Sequence, residues 1–271
     1  MPQESIADAS RPNAGRIYDY ILGGSHNFEV DRQSAEMIRS LMPFAPKAMR
    51  LQRWCLSDLA VELTERRGYD VVIDFASGLP TNDHIHYMVP SGTTVIYSDY
   101  DPVTVEYAND ILKGTPNVHY FLADARQPSE LLKRPVVENI LQGRRNVALI
   151  YWGVSAFLED EEIAHAAREL YDWSGEKSCW AFNAQAQGTG ASADDPAVVK
   201  VRKIYEQMGT PFHPRSLDQF RELLRPWKPG PEDFVPFLEW HGLDQHQVEM
   251  TEEDLKAVGE SGGGHGAYLI K

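Results

Sequence analysis

Residues 71–90 read VVIDFASGLPTNDHIHYMVP, and the fold turns on how this stretch is read. Its first half is a short apolar run of the kind that forms a buried strand, and a turn follows at once. A dinucleotide fingerprint, GxGxxG, needs three glycines: one for the tight turn, one for backbone approach to a pyrophosphate, and one for helix packing. Here only Gly78 is present, with Ala76 where the first glycine would stand, and Pro80 removes a donor next to the following helix. A pyrophosphate is therefore disfavoured, and a nicotinamide-dependent oxidoreductase with it. A nucleoside ligand without a pyrophosphate still fits, if its ribose meets an acid at the end of the second strand. Asp99, in VIYSDYDP, has that placement.

Outward from this turn, apolar runs alternate with amphipathic segments, the pattern of an α/β fold with a mostly parallel sheet and helices on both faces. The spacing predicts strands at 70–75, 93–99, 117–123, 146–152, 178–184 and 265–270. It predicts helices at 82–89, 102–113, 128–142 and 159–173. Residues 1–66 carry helical apolar spacing ahead of the first strand and read as an N-terminal helical cap. The stretch 186–245 crowds prolines in LRPWKPGPEDFVPF and reads as one or two helices with loops over one sheet edge. TEEDLKAVGE reads as a capped, solvated helix.

With 271 residues, 42% of them hydrophobic, the chain fits one large domain. A net charge of −14 argues against a nucleic-acid surface, which needs clustered Lys and Arg. Cys55 and Cys179 lack zinc spacing and read as reduced core thiols. No signal peptide or membrane-spanning run is present, so a cytoplasmic location with no membrane partner is expected.

GRIYDYILGGSHNFEVDR (15–32) and GLPTNDHIH (78–86) resemble the motifs YDYxLGGxxNFxxDR and DIGTGLPTxxxxH of a bacterial family of class I S-adenosylmethionine-dependent methyltransferases, long catalogued as a domain of unknown function. The likeness continues loosely through YSDYDPVTVEYA, FLADARQP and GGGHGAYLIK. It implies a Rossmann-like fold with a seven-stranded sheet, built as one domain. Residues 1–66 would form the lid, 67–185 the cofactor half, and 186–271 the acceptor side.

The implied cofactor is S-adenosyl-L-methionine, and the acceptor a small molecule. The resemblance places Asp74, Ala76, Ser77 and Gly78 at the methionyl part, Asp99 at the ribose, and Asp124 with Ala125 beside the adenine, where Tyr100 packs a face. Tyr18, Tyr20, Gly23, Gly24 and Asn27 fold over the cofactor, with Arg16 and Asp19 as further charged partners. The chain departs from the family where Ala76 replaces the usual first glycine of the turn and where Gly153-Val154-Ser155-Ala156-Phe157 replaces a segment that often holds a histidine. No catalytic residue is assigned, and a non-catalytic cofactor sensor or partner subunit is the alternative.

Several of these signals have plainer readings. Asp74, Asp99 and above all Asp101, which precedes Pro102, are ordinary helix-capping residues. YDYILGG taken alone reads as a turn that packs two tyrosines into the core. His84 with His86, and His241 with His246, are the nearest histidine pairs, but i,i+2 spacing diverges, so no metal is expected. His213, His241 and His265 remain candidates for a general base. Most aromatics of the second half, Trp152 to Trp240, belong to a core.

Overall fold

The computed structural model describes residues 10–81, 83–185, 195–243, 250–259 and 261–271. Strand β1 (Val71–Phe75) is buried along its whole length, as its unbroken apolar run requires. It pairs in parallel with β2 (Thr94–Asp99) and β4 (Ala148–Tyr151). β3 (Val118–Leu122) continues the sheet beyond β2, and β5 (Cys179–Ala184) beyond β4, both in parallel.

The remaining strands are β6 (Lys228–Pro229), β7 (Val235–Pro236) and β8 (His265–Ile270). β8 runs antiparallel to β5, from Cys179 opposite Ile270 to Ala184 opposite His265. The order is β3-β2-β1-β4-β5-β8-β6, with β7 also paired to β8. Among the described residues the sheet thus has eight strands rather than the expected seven. Its last position is divided between two two-residue pieces, β6 and β7, because Pro229 and Pro236 cannot donate to a ladder.

Helices α1 (Ala14–Ile21), α2 (Glu29–Leu41) and α3 (Ala45–Val61) form the expected N-terminal cap. α4 (Ile85–Met88) is shorter than predicted, since His84 ends the extended chain as its N-cap. α5 (Pro102–Ile111) begins where Asp101 accepts the Val103 N–H, the capping role read from Asp101-Pro102. The helix expected over 128–142 is two, α6 (Pro128–Leu132) and α7 (Pro135–Leu141). Pro135 has no N–H to continue α6 and holds Arg134 extended, at ψ 133°. α8 (Asp160–Trp173) follows β4. The rest are α9 (Pro196–Gln207), α10 (Leu217–Leu223) and α11 (Glu252–Val258), the last opened by a Thr251–Asp254 capping box.

One sheet face, including Ile73, Phe75 and Trp180, packs on α7, α8 and Trp227. The other, including Val72, Tyr97 and Ile150, packs on Leu51, Cys55 and Leu59 of α3. A third cluster joins Ile17, Ile21, Ala35 and Ile38 of the cap to Val201 and Tyr205 of α9. The described part of the 186–245 stretch therefore lies only in part at the sheet edge, and α9 rests on the N-terminal cap. Cys55 and Cys179 are free and buried. No described helix is long and apolar enough to cross a membrane.

Candidate functional site

The carboxyl ends of β1 to β4 open into a cavity of about 1490 Å³, walled by α1, α3 and α9. Its floor is the turn after β1. Ala76 and Gly78 both take left-handed backbone, at φ 53° and 65°. The Ser77 N–H donates to Ser98 O at 2.9 Å, carrying the β1–β2 pairing one residue further. Tyr120 Oη donates to Gly78 O at 2.6 Å, and buried His84 lies within hydrogen-bond distance of Tyr97 Oη and Ser77 O. A Cβ added at Gly78 would meet nothing within 4 Å, so the upper side of the turn is open.

Asp99 ends β2 directly beside this turn. Its carboxylate accepts the Gly78 N–H at 3.1 Å and the Asp101 N–H at 2.9 Å. Burial pushes its pKa up to about 6, against the pull of these backbone donors. Asp124, after β3, is held by the Arg126 guanidinium and backbone N–H, which lower its pKa although burial opposes them. Tyr100 is half exposed at the rim.

Ten residues singled out from the sequence meet on this one cavity: Tyr18, Gly23 and Gly24 from the cap, Ala76, Ser77, Gly78, Asp99 and Tyr100 from the first two strand ends, and Asp124 with Ala125 from the third. Three do not reach its wall. Asp74 is buried beneath the turn, with one carboxylate oxygen unpartnered. Its pKa stands well above the usual range because burial outweighs the nearby Arg53 charge. Tyr20 turns away to donate to Glu36 at 2.9 Å. Asn27 acts indirectly, donating to Asp19 at 2.9 Å and to Gly24 O at 3.0 Å.

Arg16 and Asp19 separate. Arg16 is spent on protein groups, pairing with Asp31 at 2.8 Å and Asp101 at 3.1 Å, and it is absent from the wall. Asp19 lines the cavity, is buried, and keeps Oδ1 unpartnered. Its carboxylate fills the space a Cβ at Gly24 would need, 2.0 Å away, which accounts for glycine there.

The histidines also sort. His84 and His86 converge on Tyr97 Oη at 3.0 and 3.1 Å, contrary to the divergence expected of i,i+2 spacing, because His84 sits in the cap outside α4. His246 lies outside the described residues. His241 pairs with Asp58, and His265 is buried on β8. Of the three base candidates only His213 lines the cavity. Its backbone N–H donates to Ala156 O at 2.7 Å, bringing an imidazole to the Gly153–Phe157 segment that carries none of its own.

Sequence reasoning missed Gln52 and Arg53 on α3, which also line the cavity. Gln52 lies 3.3 Å from Asn183, whose amide oxygen accepts the Gly153 N–H at 3.0 Å. Arg53 sits over the Tyr18 ring, 5.7 Å from its centroid, 3.8 Å from Asp83, and its buried Nε has no hydrogen-bond partner. A signal was available: Arg53 stands at helical spacing between Met49 and Leu56, a charge on an apolar stripe.

A parallel sheet in this order with a final antiparallel strand, and a cavity over its carboxyl ends floored by a single-glycine turn and an acid, defines a class I methyltransferase fold. The chain belongs to the S-adenosyl methyltransferase family, which it matches over residues 1–263. A DUF574 family protein from Streptomyces avermitilis has a TM-score of 0.84 at 23% identity, covering 98% of this chain and 99% of that one. A candidate methyltransferase from Thermobifida fusca has a TM-score of 0.83 at 22% identity, covering 98% and 97%. The magnesium protoporphyrin IX methyltransferase from Synechocystis, solved with S-adenosylhomocysteine, has a TM-score of 0.54 at 11% identity, covering 94% and 92%. No curated protein matches. The chain is an S-adenosylmethionine-dependent methyltransferase, and nothing in its likenesses favours the non-catalytic alternative.

Proposed function

We propose that the cavity binds S-adenosylmethionine along the ends of β1 to β3 and a small-molecule acceptor beside the ends of β4 and β5. The observation that carries this reading is Asp99, a buried carboxylate fixed by two backbone donors next to an open glycine turn. Carboxylate oxygens oriented in this way suit the vicinal hydroxyls of a ribose. The unpartnered atoms fit the rest of the molecule: Arg53 Nε offers a donor to the methionyl carboxylate, and Asp19 Oδ1 an acceptor to its ammonium. Tyr100 and Ala125 would flank the adenine, and Asp124 would reach its amino group by sharing its oxygens with Arg126.

The cavity exceeds the roughly 300–1,000 Å³ of a site for one drug-sized ligand, which supports a second occupant. The acidity of the chain as a whole favours a small molecule over a nucleic acid. The three segments would act as one domain, with 1–66 as lid, 67–185 as cofactor half and 186–271 as acceptor side.

The cofactor brings a methyl group already activated on a sulfonium, so the chain mainly orients the acceptor and excludes water. His213 is placed to accept a proton from an acceptor hydroxyl or amine. Calorimetric titration with S-adenosylmethionine and S-adenosylhomocysteine tests the reading. Both should bind, and Asp99→Ala should lose about tenfold or more in affinity with an unchanged circular dichroism spectrum. Unchanged affinity in that variant would remove Asp99 from the site and the reading with it.

A further inference from the structure

Four arginines line the cavity among the described residues: Arg50, Arg53, Arg126 and Arg202. Arg126 is committed to Asp124 and lies 3.5 Å from Glu162. Arg53 is engaged with Tyr18 and Asp83, and Arg50 is exposed. Arg202 is different. It is half-buried on α9, next to buried Val201, and makes no hydrogen bond, ion pair or ring contact among the described residues. A guanidinium on a cavity wall with no counter-charge among the described residues is unexpected in a chain of net charge −14.

An aromatic cluster lines the same cavity, with one of its members on the same helix as Arg202. Phe157, Tyr205 and Phe212 line the same cavity and form one cluster with centroids 4.5 to 5.6 Å apart. Phe157 belongs to the segment after β4, and Tyr205 lies one turn along α9 from Arg202. This wall is on the acceptor side: α9 follows β5, whereas the guanidinium over the β1 turn is that of Arg53.

We propose that the methyl acceptor is an organic acid with an apolar, planar body, its carboxylate held by Arg202 and its body packed against Phe157, Tyr205 and Phe212. Arginine's planar fork matches a carboxylate with two parallel hydrogen bonds, and aromatic walls select a flat body beside it. This rests on the cofactor and acceptor placement proposed above and gives it a substrate class.

The test uses the full chain saturated with S-adenosylhomocysteine, titrated calorimetrically with benzoate, 4-hydroxybenzoate and indole-3-acetate, and with the amide of each. At least one acid should bind, with its amide weaker by roughly tenfold or more. Arg202→Gln should abolish that preference while S-adenosylhomocysteine affinity stays within about twofold. Amides binding as well as acids, no acid binding, or a preference that survives in R202Q would each overturn the proposal. So would a loss of S-adenosylhomocysteine affinity in R202Q, which would assign Arg202 to the cofactor. Failure of the wild-type protein to bind S-adenosylhomocysteine is a separate result, and brings down the underlying reading first.

Discussion

At Ala76 the backbone is left-handed, φ 53°, where a side chain costs about 1–2 kcal/mol. Glycine would relieve that strain but loosen the unfolded chain by about 0.4–1 kcal/mol. Ala76→Gly should therefore stabilise the protein by about 0.5–1 kcal/mol, seen as a higher urea midpoint with an unchanged m-value. A lower midpoint would show that the methyl group makes packing worth more than the strain.

Asp99 sets a pH dependence. Burial raises its pKa to about 6, so the ionised form, which accepts from hydroxyls, is complete only above about pH 7. Cofactor affinity should fall about tenfold between pH 7 and pH 5, and this step should vanish in Asp99→Asn. A flat profile in the wild-type protein would mean that the carboxylate does not meet the ligand. The effect on folding has the opposite sign. The folded state holds this proton more tightly than the unfolded chain, so the stabilisation from Asp99 is complete below about pH 4 and lost as pH rises through about 6. Asp74 acts in the same direction. The acids at the strand ends were legible in the sequence because position along a strand fixes them. Arg53 and Arg202 were not, since a helix pattern alone does not tell which charge is turned inward.

Among the elements, the pair α1–α2 hinges on one buried carboxylate. Asp31 accepts from the Arg16 guanidinium and from the backbone N–H groups of Asn13 and Phe28, each at 2.8 Å. Arg16 in turn reaches Asp101, the N-cap of α5 beside Asp99. Removing one partner of a buried pair typically costs about 3–5 kcal/mol. Asp31→Ala should open the cap locally: amides over 14–41 should exchange faster while those of β1, β2 and β4 keep their protection, and cofactor affinity should fall. Unchanged exchange over 14–41 would show that α9, through Val201 and Tyr205, holds the cap without this pair. The central strands were legible because burial on both faces leaves near-continuous apolar runs. β6 and β7 were not, because two-residue strands ending in proline have no periodicity.

Across the whole molecule, the N-terminal cap and α9 line one cavity over the strand termini, so filling the cavity should stabilise cap, sheet and α9 together. S-adenosylhomocysteine at about a hundred times its Kd should add about 2.7 kcal/mol. For a chain of this size that corresponds to a rise in melting temperature of about 5 °C, measurable by calorimetry. Ligand binding without such a rise would mean that the unfolded chain binds the ligand as well, so that the folded cavity is not what holds it. The sequence by itself determined the parallel sheet, the single-glycine turn and the acids at the strand ends, because strand burial and backbone sterics act within a few residues and leave a local pattern. Tertiary structure alone decided which groups share the cavity. α9 lies on the N-terminal cap, His213 stands beside the end of β4, Arg53 and Arg202 face inward, and Arg16 is taken up by Asp31 and Asp101. Those outcomes depend on packing between segments far apart in the chain, for which no short stretch of sequence carries a period.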